Sequence, residues 1–99
     1  MTTDQAQKVA VLYIGLLEDL GHKPKERDHY DVIVCDEEKL CHAGWMCLEI
    51  IGWIDNQPMT KMMIKKIMRW IGFVQGTLDS FDLRCVSKMR RDNRSDKKP

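Results

Sequence analysis

Three stretches of this chain repeat apolar residues at the three- and four-residue spacing of an α-helix, while a single run, "VIVC" at 32–35, has strand character. A lone strand finds no partner in its own chain. The expected fold is therefore all-α, with that run as a short extended segment lying over the core. In the first stretch Val9, Leu12, Tyr13, Leu16, Leu17 and Leu20 recur, predicting a helix over about 4–20. Thr2 or Thr3 serves as its cap, Gln5 completes a weak capping box, and Gly21 stops it. In the second, Asp36 is placed to cap a helix with Glu37 and Glu38 in its first turn, as the helix dipole prefers. Leu40, Ala43, Cys47, Ile50, Ile51 and Ile54 form one face, and Asn56-Gln57-Pro58 ends it.

The third helix begins after Thr60 and runs to about Leu78, with Met63, Ile64, Ile67, Trp70, Ile71, Val74 and Leu78 toward the core. Leu83, Val86 and Met89 suggest a shorter fourth helix over about 82–91. The predicted organisation is a single helical domain over 1–91, a small bundle of three to four helices, followed by a flexible basic tail over 92–99. A length of 99 residues suffices for one core. The longest apolar run, Val9 to Leu17, falls short of the ~20 residues a membrane-spanning helix needs. No basic segment leads an apolar one at the N-terminus, so the four cysteines are expected as thiols in a reducing cytosol.

Two glycines four apart interrupt the strongest helix. Each costs about 1 kcal/mol relative to alanine in a helix interior. Gly72 and Gly76 align with Lys61, Lys65 and Arg69 on the side opposite the core, flanked by Met62 and Phe73. A surface without side chains admits a close backbone neighbour, so a packed contact is expected there, made by the fourth helix, the 21–36 connection or another molecule. Helix two repeats the theme. Opposite its core face lie His42, Trp45, Glu49, Gly52 and Trp53. Two tryptophans on a polar face require either a central, doubly covered helix or an interface, which favours a homodimer.

The net charge of +1 hides a polarity: residues 1–60 sum to −6 and residues 61–99 to +7. That can join the halves, orient a dimer or attract an anion. Lys61, Lys65 and Arg69, with Arg84, Lys88 and Arg91, could meet phosphates in a helix-pair geometry, which gives DNA or RNA binding as the alternative function. Against it stand the acidic first sixty residues and few Asn, Gln or Ser for base readout.

Catalytic motifs are lacking: no P-loop, dinucleotide fingerprint, His-Glu-x-x-His or Gly-x-Ser-x-Gly occurs. The cysteines (35, 41, 47, 85) and histidines (22, 29, 42) form no Cys-x-x-Cys pair. A zinc set of Cys35, Cys41, His42 and Cys85 can be drawn, but buried thiols are common, and the structural reading is preferred. A Cys41/His42 catalytic pair is disfavoured because adjacent helical side chains diverge by about 100°. His42 and Glu49 near Trp45, and Met59, Met62, Met63 and Met68, are candidates of lesser specificity. No catalytic residue, cofactor or metal is expected.

From His42 to Arg94 the chain resembles a group of small proteins encoded by tailed bacteriophages. The resemblance is carried by "HAGWM" (42–46), "KKIMRWIGFVQG" (65–76) and Asp-Asn-Arg (92–94), and its specific core is the Arg-Trp-x-Gly-Phe-x-Gln-Gly of 69–76. The segment after the glycines departs from that group, where a Thr or Ser caps a short helix. The resemblance implies a phage protein acting in the cytoplasm of an infected bacterium, with no catalytic residue to carry over. The expected function is a non-enzymatic interaction protein that binds and modulates a host protein. Its partner-binding residues are Trp45, Trp53, Met62, Gly72, Phe73 and Gly76.

Overall fold

The computed structural model describes residues 2–26 and 35–94, and within them the order is α1 (Thr3–Asp19), α2 (Asp36–Asn56), α3 (Lys61–Ser80) and α4 (Val86–Asp92). The all-α expectation holds. Apart from Cys35, the extended segment expected at 32–35 lies outside the described residues.

Caps and stops explain the boundaries. The Thr2 hydroxyl accepts from the Gln5 N–H, and the Thr60 hydroxyl from the Met63 N–H, each satisfying an orphan donor of a first turn. Cys35 rather than Asp36 is the α2 N-cap, and it makes no side-chain cap bond. Asp36, Glu37 and Glu38 all fall inside the first turn, against the positive end of the helix dipole. Helices α1 and α3 end alike. Beyond α1, His22 N–H reaches Leu17 C=O and Gly21 N–H reaches Glu18 C=O, with Gly21 at φ 89°. Beyond α3, Leu83 N–H reaches Leu78 C=O and Asp82 N–H reaches Asp79 C=O, with Asp82 at φ 58°. This paired closure needs a left-handed residue. It also corrects the fourth helix: Asp82 is committed to stopping α3, so α4 starts at Val86 instead of 82.

Helices α1, α2 and α3 run up, down and up. Gln7 near the start of α1 bonds Asp55 near the end of α2 at 2.7 Å, and only residues 57–60 separate α2 from α3. The core joins Ala6, Val9, Ala10, Tyr13 and Leu17 to Leu40, Ala43, Met46, Cys47 and Ile50, and these to Ile67, Ile71, Val74 and Leu78. The α1 face is narrower than expected: Leu12 and Leu20 are exposed, while Ala6 and Ala10 are fully buried. Small side chains there let neighbouring backbones approach, and a three-helix layer cannot cover a wider stripe.

The short α4 is held by polar contacts. Asp92 accepts the Tyr13 hydroxyl at 2.8 Å and both Nε and an NH2 group of Arg84, at 3.0 and 2.5 Å. Gln75 donates to the Tyr13 hydroxyl at 3.0 Å and to the Asn93 side-chain oxygen at 2.6 Å, and Gln5 donates to the Asp92 backbone oxygen. Met89 supplies the buried apolar contact. Asp92 and Asn93, assigned from sequence to a flexible tail, are thus part of the packed domain. Asp92 holds Arg84, and that contact raises the Arg84 pKa against the opposing effect of burial.

Two stability predictions follow from this packing. Asp92→Ala leaves a largely buried guanidinium and phenol without their acceptor and should cost about 3 kcal/mol; Asn93→Ala should cost about 1 kcal/mol. Chemical denaturation followed by circular dichroism checks both, and near-equal small effects would show that α4 is held otherwise. Burial also pushes the Cys47 thiol up to about 12 and raises the Tyr13 phenol, the latter opposed by the Gln75 hydrogen bond and helped by Asp92. Above the ordinary thiol range, from a pH of 9.0 upward, the unfolded chain releases a proton that the folded chain retains. The Cys47 contribution to stability should be constant below that range and fall toward pH 12 by up to about 1.4 kcal/mol per unit. Urea midpoints at neutral and alkaline pH measure the slope.

Candidate protein-binding face

Helix α3 carries the basic line expected from its sequence. Lys61, Lys65, Arg69, Gly72 and Gly76 are all exposed, on the side away from Ile67, Ile71, Val74 and Leu78. Met62 is 82% exposed and Phe73 57%, large values for apolar side chains in a domain with a closed core. They lie eleven residues apart on one flank of the line, about 16 Å along the axis.

The glycines differ from expectation. A Cβ built on Gly72 or Gly76 meets none of the described residues within 4 Å. Helix α4 approaches Gly76 only across a shallow hollow lined by Gln75, Gly76, Asp79, Met89, Arg90 and Asn93. Among the described residues none makes the expected close contact, and α4 instead docks through Tyr13, Gln75 and Asp92, on the side of α3 adjoining α1.

The tryptophans of α2 also find a place within the chain. Trp70 of α3 stands between them, 4.6 Å from Trp53 in an edge contact and 6.1 Å from Trp45 at a tilt. The Lys66 ammonium lies 4.5 Å from the Trp53 ring centre and 5.6 Å from that of Trp70. Both α2 tryptophans thus find ring partners on α3 within the chain. Trp45 and Trp53 keep partial exposure as a half-buried seam between α2 and α3. His42, expected on the polar side with Glu49, is buried and stacks on Trp45 at 5.2 Å. A cavity of about 180 Å³ lined by Lys39, His42, Phe73, Thr77, Ser80 and Phe81 continues this seam to Phe73. The structure therefore joins Trp45, Trp53 and Phe73 along one side of the domain, with Trp70 and Lys66 as the residues that sequence reasoning did not place with them.

The cations divide. Arg84 is engaged by Asp92, and Arg91 borders a hollow against Gln5, Lys8, Val9 and Leu12 of α1. Lys61 and Lys65 sit in the opening turns of α3, ten or more residues from the part of α3 that α4 touches. The six cations of the nucleic-acid alternative do not form one stripe. Nor does the drawn zinc set assemble: the His42 ring is in the tryptophan seam, while the Cys41 sulfur faces Glu37. Burial, with the Glu37 contact and charge, raises the Cys41 thiol.

No protein-family model, characterised protein or solved structure matches the chain. No described helix is long and apolar enough to cross a membrane.

Open space at both glycines reverses the sign expected from sequence for the isolated chain. Gly72→Ala and Gly76→Ala should each stabilise by about 0.4–1 kcal/mol, through lower unfolded-state entropy and better helix propensity. Thermal unfolding at low protein concentration measures this. Destabilisation that grows with protein concentration would instead place the glycines in an intermolecular contact.

Proposed function

We propose that this chain is a non-enzymatic interaction protein that binds another protein through the outer face of α3 and the adjoining α2–α3 seam. The observation that carries the reading is the pairing of Met62 and Phe73, exposed beside two bare glycines, with Lys61, Lys65 and Arg69 on the same helix. Apolar anchors ringed by cations suit an acidic protein surface with an apolar centre. Bare backbone at Gly72 and Gly76 admits a close neighbour. The half-exposed Trp45 and Trp53 extend the contact area, although their rings also serve the fold.

The resemblance over 42–94 to tailed-phage proteins supports a bacterial host protein as the partner, met in the host cytoplasm, whose activity the bound chain modulates. The charge polarity between residues 1–60 and 61–99 also supports a homodimer, in which the basic α3 face would meet an acidic surface of a second copy. A basic α3 face could equally contact nucleic acid, but the engagement of Arg84 and the separation of the remaining cations favour protein.

Affinity capture from bacterial lysate, with and without nuclease, tests the reading. A stoichiometric protein partner should be retained after nuclease and lost with Phe73→Ala, a surface change that should leave the helical circular dichroism intact. Recovery of nucleic acid alone would replace the proposal with its alternative. Light scattering against the 11.6 kDa chain mass decides whether a second copy occupies the face.

A further inference from the structure

The connection leaving α1 is fixed by one closing bond at the α1 terminus and tied to α2 at two points. His22 N–H closes the α1 terminus on Leu17, Pro24 packs 3.4 Å from where a Cβ on Gly44 would lie, and Lys25 N–H donates to Cys41 C=O at 3.0 Å. This brings the His22 side chain over the first turns of α2, where Glu37 and Cys41 share a face four residues apart. His22 Nδ1 lies 2.6 Å from Glu37 Oε2, and Cys41 Sγ lies 3.4 Å from Glu37 Oε1. One ligand atom from each of the three falls within 4.8 Å of the others.

The His22 Nδ1 atom is itself buried and has no aligned hydrogen bond. Its approach to Glu37 is close enough for an ion pair but poorly directed for a hydrogen bond. A buried imidazole nitrogen that no hydrogen bond satisfies thus stands within reach of a carboxylate and a thiol. We propose that His22, Glu37 and Cys41 form a binding site for a single divalent transition-metal ion of the zinc type.

The donor set selects the ion. Thiolate, imidazole and carboxylate together suit Zn2+ or Co2+ and disfavour Mg2+ and Ca2+, which take oxygen ligands. Bonds of about 2.0–2.3 Å in a tetrahedron separate ligand atoms by roughly 3.3–3.8 Å. The sulfur lies 3.4 Å from one Glu37 oxygen and the ring nitrogen 2.6 Å from the other, so a single liganding oxygen requires the carboxylate to turn. The nitrogen–oxygen pair must open by under about 1 Å, within reach of a rotation of the largely exposed Glu37 carboxylate. Three protein ligands leave the fourth position to water or to a donor from a bound partner. The negative pole of α1, from which His22 emerges, is offset by the positive pole of α2, so the helix dipoles leave selection of the ion to the donor set. The site shares no residue with the proposed partner surface, and its test does not depend on partner binding.

Titration of the reduced full-length chain with Co2+ tests the site, because a cobalt–thiolate bond gives a near-ultraviolet charge-transfer band. The expected result is a 1:1 complex with that band, displaced by Zn2+. Cys41→Ser should abolish the band. Cys41→Ser and His22→Gln should each weaken binding by roughly tenfold or more, while Cys85→Ser leaves band and affinity unchanged. A wild-type chain without the band, a band surviving in Cys41→Ser, or undiminished affinity in His22→Gln would overturn the proposal and leave an ordinary ion pair with a neighbouring thiol. His22 follows the α1 terminus, so His22→Gln remains a valid test if Cys41→Ser does not fold.

Discussion

The Asp92 carboxylate is the group on which the arrangement of this domain turns. A seven-residue helix is too short to be stable by itself, and Met89 is the one described α4 side chain that is buried. Asp92 adds what burial cannot, accepting from Tyr13 on α1 and Arg84 in the preceding turn. Gln75 on α3 completes the junction through the Tyr13 hydroxyl and Asn93. Three segments far apart in sequence therefore share one set of hydrogen bonds. Because its members are largely withdrawn from water, each is costly to leave unpaired, which makes the register of α4 specific as well as stable.

That docking determines what remains exposed. By settling toward α1 and the Gln75 side of α3, α4 leaves the Lys61–Gly76 line uncovered, with Met62 and Phe73 beside it. On the other flank, Trp70 and Lys66 gather Trp45 and Trp53 into the α2–α3 seam. The tryptophans thus stiffen the scaffold, while Phe73 and Met62 face solvent. The proposed interaction role rests on this division of labour between rings that build the domain and side chains left available on its surface.

The α1–α2 connection shows the same economy in backbone terms. One paired turn closure, one proline against a glycine and one amide donated to a helical carbonyl are enough to bring His22 to Glu37 and Cys41. The contrast with Cys47 is instructive. That thiol is enclosed by apolar side chains and pushed up to about 12 by burial alone, whereas Cys41 lies beside a carboxylate and an imidazole. Cysteines six residues apart on one helix consequently occupy opposite chemical settings.

Local physics made much of the architecture legible. Helical periodicity, the Thr2 and Thr60 caps, the Gly21 stop and the Asn56–Pro58 break each act within a few residues, so the three long helices and the all-α class could be read directly. The α3 core face was equally readable, because a strong 3.6-residue pattern leaves little choice about which side turns inward. Other features depend on partners distant in the chain. Asp82 looks like a helix start until its left-handed conformation closes α3. Asp92 and Asn93 look like a solvated tail until Tyr13, Arg84 and Gln75 approach. His22, Glu37 and Cys41 carry no spacing motif, since fifteen residues separate the first from the second. The sequence by itself determined the helices and their inward faces, because hydrogen bonding and amphipathic burial repeat along the backbone. Only the tertiary structure decided which polar groups meet, because an ion pair or ligand set depends on through-space distances that the helix docking alone establishes.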